Sequence, residues 1–336
     1  MKIIRDLQAL TTPPRETVLT IGNFDGVHLG HREIFRRVVR KARSIGGTAA
    51  VLTFDPHPLK VLAPEQAPKM LNTRAEKELL IAASRIDLLV CLPFTRELSR
   101  LTAEEFVQQV LVEKLAVRHL IVGYDYAFGR GRLGNLRFLQ EQGRKIGFTV
   151  EVLEPLAEHN VVYSSSLVRN MISAGDVAGV VRFLGRHYTL EGVVAHGAER
   201  GRKLGFPTAN LVTEKELLPI PGVYAVKVRR GRELYDGVLN IGWNPTFGNQ
   251  EVTVEVHLLD FSGDLYGETL RVYFYQRLRN EKRFPSLIEL CQAIAADIAA
   301  AREILGRRRL ITYREYLDTI TEPEPPGSGL GEWHED

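Results

Sequence analysis

The sequence predicts two dissimilar folding units: an α/β unit on an open, doubly wound parallel sheet, then a small β-barrel with a terminal helix. Three observations carry this. Up to about residue 155, short apolar runs alternate with amphipathic segments. After Arg186 the helical period gives way to short strands between Gly- and Pro-rich turns. The length, 336 residues, suits two domains.

In the first unit the apolar runs are 18–21, 49–54, 88–92, 120–123 and 148–153. They are continuously apolar, as strands covered on both faces are. Between the first two, Ile34, Phe35, Val38, Val39, Ala42 and Ile45 fall on one face of a helix. Further helical patterns cover 74–85, 102–115 and 135–146, with Thr102 placed to cap its helix ahead of Glu105. Open parallel sheets bind ligands beyond the carboxyl ends of their strands, which singles out the loops after Ile21, Phe54 and Val122. Residues 176–184 read as a short helix stopped by Gly185. The second unit has strands at 188–195, 223–228, 234–241, 252–259 and 270–274, a spacing that suggests a barrel. A long helix over 286–305 follows, capped by Ser286. The expected division is 1–186, 187–318 and a tail, 319–336, whose prolines and lack of apolar residues predict disorder.

Composition excludes several classes. With 44% hydrophobic and 25% charged residues the chain supports packed cores. No run approaches the roughly 18 apolar residues of a membrane helix, and the charged start, Met1 to Asp6, is unlike a signal peptide. The net charge of +3 is small, and its basic clusters are interspersed with acids, so no nucleic-acid partner is expected. Cys91 and Cys291 are far apart and read as two buried, reduced thiols, which places the protein in the cytoplasm. A monomer or weak homo-oligomer is expected.

The first chemical signal is Gly22-Asn23-Phe24-Asp25-Gly26-Val27-His28-Leu29-Gly30-His31, between a strand and a helix. Glycine lets the backbone come close to a ligand, and a helix start offers N–H groups and a positive dipole end to an anion. His28 and His31, three apart, can face the same side and together stabilise charge on a phosphate undergoing substitution. A bare His-x-x-His pair could equally bind a metal or lie on the surface. The strand–loop–helix setting favours phosphate chemistry. A phosphate nucleophile is already ionised near neutral pH, so such a site needs no base. Three more segments fit the same pocket: Thr53-Phe54-Asp55-Pro56-His57-Pro58, Gly123-Tyr124-Asp125-Tyr126-Ala127-Phe128-Gly129, and Ser164-Ser165-Ser166-Leu167-Val168-Arg169. Each alone could be an ordinary turn or cap.

Together these residues carry the HxGH signature of the nucleotidyltransferases and resemble the N-terminal FMN adenylyltransferase module of bacterial bifunctional riboflavin kinase/FAD synthetases. The family pattern runs GxFDGVHxGH, TFDPHP, VGxDFxFG and SSTxIR. This chain matches the first two and departs mildly at Tyr126, Ser166 and Val168. The resemblance implies catalysis by His28 and His31. It implies ATP or phosphate contacts at Gly22, Asn23, Gly30, Asp125, Ser165, Ser166 and Arg169, and flavin contacts at Phe54, Asp55, Pro56 and Pro58.

In the second unit, Gly205-Phe206-Pro207-Thr208-Ala209-Asn210 places a hydroxyl and an amide oxygen two apart, suited to a hard divalent cation if the chain is extended there. A Pro-initiated turn is the plainer reading. On the strand 252–257, Thr253, Glu255 and His257 alternate with three valines. Glu255 could simply face solvent, yet phosphorylating an alcohol needs a proton acceptor. The set GFPTAN, Asn240-Ile241-Gly242, Val254-Glu255-Val256-His257 and Leu278-Arg279-Asn280-Glu281-Lys282-Arg283-Phe284 resembles the riboflavin kinase family, whose loop commonly has Pro where Asn280 stands. The resemblance implies Mg²⁺ at Thr208 and Asn210, ATP phosphates near Gly201 and Lys203, Glu255 as base on the ribityl hydroxyl, and Arg279 near the flavin. Riboflavin, FMN and ATP are the expected substrates. Two rivals stay open: an adenylyltransferase for another phosphorylated substrate with the barrel as a sensor, and an idle flavin-binding regulator.

Overall fold

The computed structural model describes residues 1–158, 161–197, 201, 204–246, 249–306 and 308–313. Lys203 and the tail beyond residue 318 lie outside the described residues, and so does the disorder expected of that tail.

The first half builds a six-stranded parallel sheet. Its strands are β1 (Lys2–Ile4), β2 (Thr17–Ile21), β3 (Ala49–Phe54), β4 (Leu88–Leu92), β5 (Val117–Gly123) and β6 (Thr149–Leu153). Their order is β1-β4-β3-β2-β5-β6. From β2 the chain winds outward through β3 and β4, then returns to the other side of β2 for β5 and β6. The reversal puts a crevice beyond the carboxyl ends of β2 and β5. Helices cover both faces: α1 (Leu29–Ser44), α2 (Pro58–Leu62), α3 (Arg74–Ala83), α4 (Arg96–Arg100), α5 (Ala103–Phe106) and α6 (Leu136–Ile146). Alternate strand residues feed the two cores. Leu19, Leu52, Val90 and Leu120 pack with Phe106, Leu111 and Leu139, whereas Val18, Val51, Leu89 and Ile121 pack with Phe35, Val38 and Ile81. Each such fully buried side chain contributes about 1.5–3 kcal/mol.

The helix expected over 102–115 begins as predicted, with Thr102 and Glu105 in a reciprocal cap, but continues as a π-helical segment over Val107–Lys114. The short edge strand β1 was not predicted, because three residues carry no period. Residues 176–184 are helical only over α8 (Val181–Leu184), which follows α7 (Ser165–Ser173) and ends on left-handed Gly185. Before α7 lies a two-residue hairpin, β7 (Ala157–Glu158) and β8 (Val161–Val162).

The second half is a closed antiparallel barrel in the order β10-β13-β12-β11-β14-β9. Its strands are β9 (Thr189–Ala195), β10 (Ala209–Val212), β11 (Gly222–Arg230), β12 (Glu233–Thr246), β13 (Asn249–Leu258) and β14 (Thr269–Asn280). Closure removes exposed strand edges. Strand β10 puts Asn210 in extended chain; Thr208 immediately precedes the strand, after a turn at Leu204 and Gly205. Helix α9 (Leu287–Gly306) packs Ala301 and Leu305 on the outer wall against Ala225, Tyr273 and Tyr275. Cys91 is buried, but Cys291 on α9 is partly exposed, which corrects the expectation of two buried thiols; both are free. Among the described residues no helix is long and apolar enough to cross a membrane.

The two halves share packing. Val168, Ile172, Phe183 and Leu184 join the same apolar cluster as the barrel interior. Across this contact Lys215, with a side chain 0% exposed, pairs with Glu76, 6% exposed. Burial opposes the Glu76 charge, but Lys215, the Thr73 backbone and the Asn72 amide outweigh it and hold the carboxyl below its usual range. Removing one member strands the other as a buried charge. Glu76→Ala is therefore expected to destabilise the protein by about 3–5 kcal/mol in urea unfolding, and Glu76→Leu with Lys215→Met by much less. Equal losses in the single and double variants would count against a paired charge.

Candidate active sites

The first site is the turn between β2 and α1. Its backbone enters the left-handed region at Phe24 (φ 48°), Gly26 (φ 82°) and Val27 (φ 40°). His28 caps α1, its Nδ1 accepting the His31 N–H at 3.4 Å. The two rings stack with centroids 3.6 Å apart. A Cβ on Gly30 would stand 3.1 Å from the His28 ring, so glycine is what lets the rings and backbone fit. Because Nδ1 accepts, neutral His28 carries its proton on Nε2 and can donate outward. The Nδ1 of His31 is buried without a hydrogen-bond partner among the described residues. An unsatisfied buried polar atom costs about 1–3 kcal/mol, a penalty that a ligand could relieve.

Burial, and secondarily Arg186, push His28 down to about 4; burial, His28, Arg186 and Lys77 hold His31 well below 6.5. Both rings are neutral at pH 7. His187, buried under β14, is also lowered to about 4. In the unfolded chain these groups titrate near 6.5, so between that value and about 4 the unfolded state binds more protons. Stability is thus fully present above 6.5 and is lost as pH falls toward 4. Urea titrations should show a decline on the order of 2 kcal/mol from each of His28 and His187 between pH 7 and pH 5. His28→Gln should make the decline shallower, with His31 and His187 still contributing; an unchanged slope would contradict the depressed value.

The surrounding segments meet this loop unequally. Asn23 Nδ2 lies 3.0 Å from His57 Nε2, joining the loop to the Phe54, Asp55, Pro56 and Pro58 segment. Phe54, Asp55 and His57 of that segment line a cavity of about 170 Å³ with Lys77, Asn72 and Thr73, bordered by Glu214 and Glu216 of the barrel half, and Pro56 and Pro58 do not line it. Phe54 packs edge-on to Phe94, Asp55 faces Arg74 at 3.5 Å, and Pro58 opens α2. Ser165 donates to the Asp25 carbonyl (2.8 Å), and Arg169 pairs with the Asp25 carboxylate (2.9 Å) and bonds the Lys69 carbonyl (2.9 Å). Arg169 therefore reaches the loop through Asp25, which the sequence reading left without a role. Gly22 opens the loop beside the Phe24 ring. Ser166 is exposed, and so is Asp125, whose carboxylate has no hydrogen bond or ion pair among the described residues. Tyr126 and Phe128 stack on each other and pack into the sheet's core.

The second site is on the barrel's outer wall. Gly201, Thr208, Glu255 and Arg279 line one cavity of about 470 Å³ beneath α9, with Leu290, Ile294 and Ile298 as an apolar side. Thr208 Oγ1 donates to Glu255 Oε2 at 3.1 Å. Asn210 stands directly opposite Glu255 in the β10–β13 ladder, on the same face, but does not line the cavity itself. His257, named in its strand motif but given no role, and Asp297, not singled out in the sequence, also belong to this site. His257 Nδ1 lies 2.7 Å from the Pro207 carbonyl and ties the GFPTAN turn to β13. Asp297 of α9 grips Arg279 through contacts of 2.8–3.1 Å. Hydroxyl, amide and carboxylate oxygens suit a hard cation. Among the described residues no cluster of three or more His, Cys, Asp or Glu could hold a metal alone. The donors fit Mg²⁺ arriving with a triphosphate.

A paired-histidine loop at the switch point of a parallel sheet, beside a barrel whose cavity carries Glu255 next to Thr208, together with Glu281 and Asp297, defines a two-site phosphorus-transfer enzyme. Residues 10–167 match the FAD synthetase family and residues 184–305 the riboflavin kinase family. The chain belongs to the bifunctional riboflavin kinase/FMN adenylyltransferases. It is 43% identical over 305 residues to such a protein of Pseudomonas fluorescens, covering 90% of this chain and 98% of the relative. To that of Escherichia coli K12 it is 40% identical over 308 residues, covering 91% and 98%. Its fold also matches the crystal structure of a protein titled macrolide-efflux protein from Streptococcus pneumoniae. There the TM-score is 0.81 and the identity 30%, covering 90% of this chain and 98% of that one.

Proposed function

We propose that the barrel phosphorylates riboflavin to FMN with ATP and that the sheet domain then adenylylates FMN to FAD, releasing pyrophosphate. The observation that carries this reading is the Glu255 carboxylate facing the α9 cavity beside Thr208, where a sensor barrel would need no base. Glu255 takes the proton of the ribityl hydroxyl as its oxygen attacks the γ-phosphorus and ADP leaves. Thr208 and Asn210 would hold Mg²⁺, which when bound neutralises phosphate charge. Gly201 and Lys203 serve the ATP phosphates, and Arg279, oriented by Asp297, meets the flavin.

In the sheet domain the FMN phosphate attacks the α-phosphorus of ATP, and the P–O bond to pyrophosphate breaks. The nucleophile is ionised, so positioning and charge stabilisation suffice. Neutral His28 donates from Nε2, and His31 stacks behind it. Gly22, Asn23, Gly30, Ser165, Ser166 and Asp125 contact ATP, Arg169 holds the loop through Asp25, and the segment from Phe54 to Pro58 contacts the flavin. The working division is 1–186 and 187–318, in a cytoplasmic monomer or weak homo-oligomer.

Purified protein with riboflavin, ATP and magnesium tests this reading, flavins and nucleotides being separated over time. FMN and ADP should rise first and FAD and pyrophosphate follow, with chelator stopping both. Failure to form ADP from riboflavin would leave the barrel a sensor.

A further inference from the structure

We propose that Arg186, in the segment joining the two halves, is a positioning residue for adenylyl transfer that fixes the peptide planes leading into His28. The inference rests on the adenylyltransferase reading of the histidine loop.

Arg186 is buried, and its Nη2 donates to the Gly26 carbonyl (2.7 Å) while Nη1 donates to Val27 (3.1 Å) and Leu184 (3.2 Å). Two consecutive carbonyls of the loop are thus gripped by one planar fork. Each trans peptide is rigid, so aiming a carbonyl at Arg186 aims the following N–H away from it. The second of these peptides is the one directly before His28, and its plane sets where the imidazole starts.

The loop needs such a grip. A β-branched residue at positive φ is a genuine outlier, and strained residues cost on the order of 1–3 kcal/mol each unless their surroundings over-determine them. Val27 is one, with Phe24 and Gly26 in the same region. Other contacts hold the start and middle of the turn: the Asn23 carbonyl accepts from Thr53 and Lys77, and the Val27 N–H donates to the Phe24 carbonyl at 3.4 Å. The Asp25 carboxylate accepts the Leu71 N–H at 2.9 Å and meets Arg169, and its carbonyl takes the Ser165 hydroxyl. Among these side chains Arg186 alone binds the carbonyl of the peptide directly before His28. Lysine, a point charge, cannot reproduce the fork.

Arg186 is also anchored from both sides. A Cβ on Gly185 would come within 2.6 Å of Leu29 and 2.9 Å of Arg32, so the segment lies tight on α1. On the barrel side, His187 Nδ1 lies 3.0 Å from the Phe274 carbonyl and the Tyr188 hydroxyl donates to Leu217 (2.7 Å). The clamp on the first site is therefore braced by the wall of the second domain.

The experiment compares Arg186→Met and Arg186→Lys with wild type in the full chain, measuring FMN to FAD and riboflavin to FMN on the same preparations. Misplacement of this kind should lower kcat for FAD formation about 10²-fold, with KM for ATP changed far less and the kinase step within about twofold. Arg186→Lys should recover only part of the loss. A purely structural residue would lower both activities together, or neither. Near-normal FAD formation in Arg186→Met, or parallel loss of both steps, overturns the assignment. Should Arg186→Met not fold, Arg186→Lys must show the same split, and its absence is equally fatal. A wild-type chain that forms no FAD would fault the underlying reading instead.

Discussion

Glu255→Ala should lower FMN formation from riboflavin by about 10²–10⁴-fold while leaving FAD formation from supplied FMN unchanged. The first half of this expectation rests on chemistry. A primary alcohol holds its proton at neutral pH, and transfer to phosphorus needs an acceptor at the oxygen. Glu255 points from β13 into the 470 Å³ cavity and receives the Thr208 hydroxyl. The second half rests on position, for the paired histidines stand in the other domain, on the turn before α1. Glu255→Gln separates two ways in which the residue could matter. The amide keeps the length and can still accept from Thr208, but it is no base. If proton transfer is the role, Gln is as slow as Ala. If holding the GFPTAN turn is the role, Gln recovers most of the rate. FMN and ADP from each variant, measured against wild type at saturating riboflavin, distinguish them.

The fold was legible wherever a period repeated. Continuous apolar runs gave β2, β3, β4 and β6 to within a residue and the last four residues of β5, and the shift to short strands marked the barrel. Strand β10 was not legible, since four residues after a proline look like a turn until β9 and β13 pair with them. The histidine loop was legible because its residues are adjacent in sequence. What holds the loop was not. Arg186 lies 159 positions from the Val27 carbonyl it binds, and Arg169 is 144 from Asp25. Asp25 stood inside the motif, but its burial came only with the fold. Asp297 left a trace, as the one acid within the apolar stretch 290–301 of α9, where an isolated carboxylate asks for a partner. Glu76 and Lys215 left none, for each looks like a surface residue until the domains meet.

Replacing His28 and His31 together by alanine should block FAD formation and let FMN accumulate. Donors aimed at developing charge contribute about 10²–10³ each in rate when removed singly. The rings stack at 3.6 Å, and the His31 N–H bonds His28 Nδ1, so the two act as one unit. Their effects should therefore fall short of multiplying: either single variant is expected to lose most of what the double loses. Alanine at 28 also removes the cap of α1, a stability cost of about 1 kcal/mol, so His28→Asn, which can still cap, is the cleaner single change. Because the kinase step needs neither residue, riboflavin supplied with ATP still becomes FMN. The ratio of FMN to FAD in one reaction then reads the adenylyl step independently of protein concentration or of partial unfolding of the sample. An FAD yield in the double variant equal to that of wild type would remove the histidines from the reaction altogether. A yield restored by raising ATP alone would move them from catalysis to binding.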